Sequence, residues 1–193
     1  MQSIIRQEFI EHLKTTEATS ERIGEEIETT AKLCINSLKK GGKILIFGNG
    51  GSAADAQHIA AEFIGRFKEE RSSFPAISLT TDTSVLTSLS NDYSNDIIFS
   101  RQCEGLVNLD DVVLGISTSG NSINVKKALA VSKSRGAITI GLLGNNGGAI
   151  KEITDFSLIV NSSITSKIQE AHRVIYHIIC EIVENELRGF DKK

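Results

Sequence analysis

Asp55, His58, Glu62 and Arg66 follow one another at steps of +3, +4 and +4, so on a helix they share one stripe. His58 and Glu62, at i and i+4, aim an imidazole and a carboxylate at one spot, the geometry of a metal chelate or of an acid–base pair. A line of ionisable residues is also the usual mark of a solvated helix face, and spacing alone leaves both readings open. Two loops sharpen the question. Gly48-Asn49-Gly50-Gly51-Ser52-Ala53 stands just before the stripe, with a helix expected from near Ala54. Its three glycines let the backbone turn tightly and bring N–H groups close to a ligand. Gly115-Ile116-Ser117-Thr118-Ser119-Gly120-Asn121-Ser122 places four hydroxyl residues and a glycine ahead of a helix over about 121–135. Hydroxyls and free N–H groups at a helix N-terminus suit a doubly negative phosphate. N-capping alone explains one hydroxyl, not four.

Other phosphate chemistries fit less well. Gly48, Gly50 and Ala53 match the G-x-G-x-x-G/A dinucleotide fingerprint, but that motif needs an acidic residue ending the second strand. The second apolar run ends in Leu79-Thr80-Thr81, and Glu69 and Glu70 precede it. No G-x-x-x-x-G-K segment is present, so a nucleoside triphosphatase is not indicated.

These loops need a scaffold, and the apolar pattern supplies one. Ile23, Ile27, Ala31, Cys34 and Leu38 recur at helical steps through the first forty residues, and Gly41-Gly42 after Lys39-Lys40 stops that helix. Five short aliphatic runs follow, at 43–47, 75–80, 111–116, 137–143 and 156–160. Near-continuous aliphatic strands alternating with helices predict an α/β three-layer sandwich with a five-stranded parallel sheet. A long closing helix is expected over 166–187. No linker or repeat divides the chain, so 1–193 is expected to be one domain: a helical arm at 1–40 and an α/β core at 41–193. The arm should pack on the sandwich, with a neighbouring subunit as a second surface.

Composition narrows the function classes. The 193 residues carry 21 basic and 24 acidic side chains, a net charge of −3. That is no field for nucleic acid or an anionic membrane. With no tryptophan and two tyrosines, base-stacking readers are not expected either. No apolar run nears the roughly 20 residues of a membrane span, and the N-terminus does not read as a signal peptide, which points to the cytoplasm. Cys34, Cys103 and Cys180 have neither disulfide nor zinc-ribbon spacing and read as core residues.

Taken together, Gly115–Ser122, Gly48–Ser52, Asn91-Asp92-Tyr93 and Ile168-Gln169-Glu170-Ala171-His172 resemble the sugar isomerase (SIS) superfamily over nearly the whole chain. Within it they resemble the phosphoheptose isomerases, which interconvert sedoheptulose 7-phosphate and a manno-heptose 7-phosphate. The resemblance implies a flavodoxin-like SIS fold and a homotetramer with active sites between chains. It also implies that Ser117, Thr118, Ser119 and Ser122 hold the phosphate. Asn49, Gly50, Gly51 and Ser52 would bind the sugar end, with Arg66, Asn91, Asp92 and Gln169 adding contacts. By the same resemblance His58, Glu62, Gln169 and His177 hold one Zn²⁺ per subunit, and Glu62 and His177 are the proton-transfer pair. Such an enzyme makes the aldose that opens nucleotide-activated heptose synthesis, as for lipopolysaccharide.

Three points qualify these expectations. Gln169 and His177 lie eight residues apart, roughly 12 Å along a regular helix and about 80° around it. To share one ion, the helix must be irregular there or the two ligands must come from different subunits. Second, Ser166 stands where many isomerases carry an aspartate. Third, non-catalytic SIS adaptors, such as one that binds the replication initiator, share the fold. Those adaptors lack the carboxylate and imidazole found here at Glu62 and His177, which favours an enzyme. His12 and His172 have no motif support and read as structural, whereas His177, among Ile175, Ile178 and Ile179, would read as a core residue without the resemblance.

Overall fold

The computed structural model describes residues 1–189. Each aliphatic run becomes a strand within a residue or two of its expected place: β1 (Ile44–Gly48), β2 (Ala76–Ser78), β3 (Val112–Ser117), β4 (Ile138–Gly144) and β5 (Phe156–Val160). The run at 75–80 shortens most, to the three residues of the edge strand β2. All pairings are parallel, with Ile44 opposite both Ala76 and Val112, Val112 opposite Ile138, and Ile140 opposite Phe156.

Helices cover both faces, as side chains that alternate along each strand require. On one face Ile44, Ile46, Val112, Leu114, Ile116 and Leu142 pack beneath α1 (Gln2–Lys39), α2 (Gly51–Ile64) and α7 (Thr165–Leu187). On the other, Leu45, Phe47, Val113 and Leu143 meet α4 (Ser100–Leu106) and α5 (Ile123–Ser134). Between β2 and β3 the chain forms α3 (Thr83–Asp92), a 3-10 turn at Asn95–Ile97 and α4, and α6 (Gly148–Lys151) links β4 to β5. The helices expected at 121–135 and 166–187 are α5 and α7.

The strand order β2-β1-β3-β4-β5 is the flavodoxin-like order, whose connections reverse between β1 and β3. Ligands in such sheets bind beyond the carboxyl ends of the strands at that reversal. The glycine loop leaves β1 there and the hydroxyl loop leaves β3 beside it.

The N-terminal helix has two parts. Ile23 departs from helical geometry (φ −124°, ψ 21°) just before Gly24, a glycine site at which helices bend. After the bend, Ile27, Ala31, Cys34, Ile35 and Leu38 are buried against the sheet and α7. Before it, Ile4, Ile5, Phe9 and Leu13 are exposed. The helix ends at Lys39, and Gly41 then takes the left-handed conformation (φ +88°) that glycine adopts without strain. All three cysteines are buried; burial raises the Cys34 thiol to about 12 and the Cys103 thiol to about 11, so they behave as small core residues. No helix among the described residues is long and apolar enough to cross a membrane.

Candidate active site

The glycine loop is shorter than the sequence suggests. Gly50 (φ +55°) precedes α2, which starts at Gly51, three residues before the expected Ala54. The positive φ at Gly50 completes the turn early, so Gly51-Ser52-Ala53 form the first helical turn rather than a loop. Gly48 has no room for a side chain: a Cβ would lie 2.7 Å from that of Ser52 and 3.0 Å from the Ile116 carbonyl oxygen. Ser52 is buried beneath this turn. The Asn49 and Asn124 amides exchange two hydrogen bonds, Nδ2 of each donating to Oδ1 of the other at 2.9 and 3.0 Å. The side chain of Asn49 therefore ties the glycine turn to the first turn of α5.

The hydroxyl loop brings three of its four hydroxyl groups together. Ser117, at the buried end of β3, places Oγ 3.0 Å from Ser122 Oγ and 3.4 Å from Ser119 Oγ. Ser122 is the N-cap residue of α5, yet its side chain bonds to none of the helix's N–H groups. Its hydroxyl faces the other serines instead. Thr118 is half-buried between them. Gly120 is left-handed (φ +68°), and a Cβ there would collide with the Gly147 carbonyl. The N–H of Ile150 donates to Gly120 O at 2.9 Å and that of Ala149 to Asn121 Oδ1 at 2.9 Å. These bonds anchor the hydroxyl loop to α6.

A second cluster forms where α2 meets α7. His58 Nε2 lies 2.8 Å from Glu62 Oε1 and 3.4 Å from His177 Nε2. The donor atoms of all three residues fall within 4.8 Å of one another, and all three are half-buried. The one-turn spacing of His58 and Glu62 thus points both at one spot, and α7 delivers His177 to it. Two imidazoles and a carboxylate are the ligand set of many catalytic zinc sites, which keep a further position open. Ligand atoms on bonds near 2 Å stand about 3.3 Å apart in a tetrahedral site, close to the observed nitrogen–nitrogen distance. The residues fit a divalent cation. Burial first, and then the neighbouring His58, hold His177 below the usual imidazole range. At neutral pH it offers a lone pair, as a ligand or a base must. Glu62 Oε2 takes no hydrogen bond among the described residues, while the Phe67 ring flanks His177 at 5.5 Å.

Other expected site residues stand apart from this cluster within one chain. Arg66 is off the stripe: α2 ends at Ile64, Gly65 leaves the helical region (ψ −108°), and Arg66 turns to solvent 3.8 Å from Glu70. Asn91 and Asp92 lie at the exposed end of α3, where Asn91 Nδ2 donates to Asp92 Oδ1 at 2.8 Å. Gln169 lies against Gly51, so close that any side chain at Gly51 would strike its amide. It lines a cavity of about 330 Å³ with Gly51, Asp55, Ser166 and Arg173, a space that His58, Glu62 and His177 do not line. Between Gln169 and His177, α7 is unbroken, which removes the irregular-helix route to a shared ion. His12 Nδ1 meets Glu170 Oε2 at 3.0 Å, and His172 is fully buried with Nε2 donating to Leu143 O at 3.0 Å.

With this geometry in hand, similarity assigns the chain. The SIS domain family model matches residues 8–144. The phosphoheptose isomerase of a Nitratiruptor species is 52% identical over 180 residues, 93% of this chain and 96% of that protein. That of Aliarcobacter butzleri is 50% identical over 187 residues, 97% and 99% of the two chains. The chain belongs to the SIS-domain phosphoheptose isomerase family. Solved phosphoheptose isomerases agree: that from Neisseria gonorrhoeae superposes with a TM-score of 0.91 at 39% identity, over 95% of this chain and 98% of the other. The one from Francisella tularensis reaches 0.92 at 34% identity over the same shares.

In this phosphoheptose isomerase family member, three residues of the site had no role assigned from sequence. Tyr176, one residue before His177, puts its hydroxyl 3.2 Å from both Asp55 Oδ1 and His58 Nδ1. Arg173 Nη2 lies 3.3 Å from the same Asp55 oxygen. Asp55 had been visible only as the first member of the stripe. A tyrosine one step before a site histidine was the other available signal.

Proposed function

We propose that the chain isomerises D-sedoheptulose 7-phosphate to D-glycero-D-manno-heptose 7-phosphate through an enediol(ate), a ketose–aldose sugar-phosphate isomerisation. The observation that carries this reading is the convergence of Glu62 and His177 on His58, beside a strand-end loop of gathered hydroxyls. A non-catalytic SIS adaptor has no need of that pair, and the relatives at 50% identity or more carry the name of the enzyme.

The chemistry asks for four things. The phosphate must be gripped, and Ser117, Thr118, Ser119 and Ser122 at the head of α5 supply hydroxyls and a favourable helix dipole. The sugar end must be oriented, which falls to the glycine turn at Asn49, Gly50, Gly51 and Ser52, with Gln169. A base must take a proton from C1 of the ketose and the same or a second group must return one to C2. An acid must serve the oxygens, protonating the C2 carbonyl while the C1 hydroxyl proton leaves. Glu62, with one oxygen unpaired, and His177, held neutral, are suited to share those transfers. When bound at His58, Glu62 and His177, a Zn²⁺ ion supplies positive charge to the oxyanion as it develops.

The finer reading places one Zn²⁺ per subunit in a cytoplasmic homotetramer. Because α7 is regular, Gln169 would serve the site of a neighbouring chain, and Arg66, Asn91 and Asp92, solvent-facing here, would act across the same boundary. Incubation with sedoheptulose 7-phosphate, with the aldose signal followed by NMR, tests the activity. Absence of any aldose from the zinc-loaded protein overturns it.

A further inference from the structure

Counting protons around Tyr176 assigns the role of His58 Nδ1. The Tyr176 hydroxyl has one proton and two neighbours at 3.2 Å, Asp55 Oδ1 and His58 Nδ1. Asp55 is 3% exposed, and its carboxylate, which also accepts from Arg173 Nη2 at 3.3 Å, can only accept. A charged carboxylate is a stronger acceptor than a neutral imidazole nitrogen, so the hydroxyl proton points to Asp55. The hydroxyl then has only lone pairs to offer His58, and Nδ1 must be the donor. In the tautomer with its proton on Nδ1, the imidazole turns an Nε2 lone pair toward Glu62 Oε1 at 2.8 Å and His177 Nε2 at 3.4 Å. A donor set of two imidazoles and a carboxylate, each within 4.8 Å of the others, is one that a shared divalent cation would hold together.

The geometry points to Asp55 and Tyr176 as positioning residues that lock His58 in the Nδ1–H tautomer and aim its Nε2 at a divalent cation. This rests on the metal-site reading given above. Neither residue touches the cation position. They act through His58, as outer partners of ligating histidines do. The Tyr176 ring also stands edge-on to His58 and His177, at 5.5 and 4.8 Å between centroids, so removing only the hydroxyl leaves that packing in place.

The test is Zn²⁺ affinity of the metal-stripped full chain, measured by competition with a chromophoric chelator and paired with thermal unfolding of the metal-free protein. Tyr176→Phe should weaken Zn²⁺ binding about 10- to 100-fold with metal-free unfolding retained. Asp55→Ala should match it, whereas Asp55→Asn, which keeps an acceptor oxygen, should recover most of the affinity. The double variant Asp55→Ala/Tyr176→Phe should bind no more weakly than the worse single one, because links of one chain do not add. Unchanged affinity in Tyr176→Phe beside a parent that binds Zn²⁺ overturns the positioning role alone. Losses that multiply in the double variant overturn the single chain of bonds. A parent that does not hold Zn²⁺ overturns the metal-site reading itself. Should Asp55→Ala fail to fold, Tyr176→Phe and Asp55→Asn still decide.

Discussion

Arg71 and Glu184 form an ion pair at 3.0 Å with each side chain 2% exposed, and together they bind the end of α2 to α7. Glu184 accepts the N–H groups of Phe67, Lys68 and Glu69 at 2.7–2.9 Å. Arg71 donates to the carbonyls of Glu62, Phe63 and Gly65 at 2.7, 2.9 and 3.2 Å, oxygens that the last turn of a helix leaves without partners. Burial alone would raise the Glu184 carboxyl, but those three N–H groups and the Arg71 charge outweigh it and hold it below the usual carboxylate range. The pair thereby joins the helix bearing His58 and Glu62 to the helix bearing His177.

Breaking this pair should be costly. Glu184→Ala leaves a buried guanidinium uncompensated, for which a loss of about 3–5 kcal/mol is expected. Urea unfolding of parent and variant measures it, and a change within the error of that measurement would show that the pair contributes nothing to stability.

Glu62→Gln and His177→Ala should each lower the rate of sedoheptulose 7-phosphate turnover by about 10²–10⁴-fold or more, the usual worth of a positioned acid or base. Circular dichroism and thermal unfolding should stay near those of the parent, since both residues are half-buried at the rim of α2 and α7. Normal turnover in either variant removes it from the proton-transfer pair.

The hydroxyl loop separates affinity from rate. Ser119→Ala should raise KM and leave kcat closer to the parent, because it withdraws one contact at the phosphate end and none at the reacting carbons. Gly120→Ala should do more harm, combining a left-handed φ with collision against Gly147. Initial rates across substrate concentration distinguish the two effects, and an unaltered KM in Ser119→Ala counts against a phosphate there.

Rigorous chelation followed by gel filtration should abolish isomerisation, and added Zn²⁺ should restore it. Full activity in protein shown to be metal-free by elemental analysis would take the cation out of the reaction.

His172 sets an acid limit on stability. Burial, dominating over its bond to Leu143, lowers its pKa from 6.5 to about 4. The unfolded chain therefore binds a proton that the folded chain resists. Its stabilising effect is complete above about pH 6.5 and declines toward pH 4, by up to about 1.4 kcal/mol per pH unit. His177, also held low, slopes in the same sense. Denaturant titrations from pH 7 to 4.5 should show a gentler decline in His172→Gln than in the parent; identical profiles would refute the assignment.

Sequence legibility varied with how locally each feature is encoded. Strands β1, β3, β4 and β5 were readable to within a residue because unbroken aliphatic runs admit one interpretation when glycines and polar residues bound them. The start of α2 was misplaced because Gly51 reads as loop, although Gly50 alone makes the turn. Arg66 fitted the stripe arithmetically, but Gly65 ends the helix first. The segment holding α3 resisted reading because that helix buries no residue and so writes no apolar stripe. His58 and Glu62 were local and therefore visible. The bonds from Tyr176 to Asp55 and His58 span 121 and 118 positions, and no periodicity records contacts that distant.

The paired amides of Asn49 and Asn124 have a mechanical consequence. Two opposed bonds resist both sliding and twisting, so the turn after β1 and the first turn of α5 that they yoke move together. A guest that displaces one end must drag the other along, and a substrate missing either terminus would forfeit more than the grip it lacks.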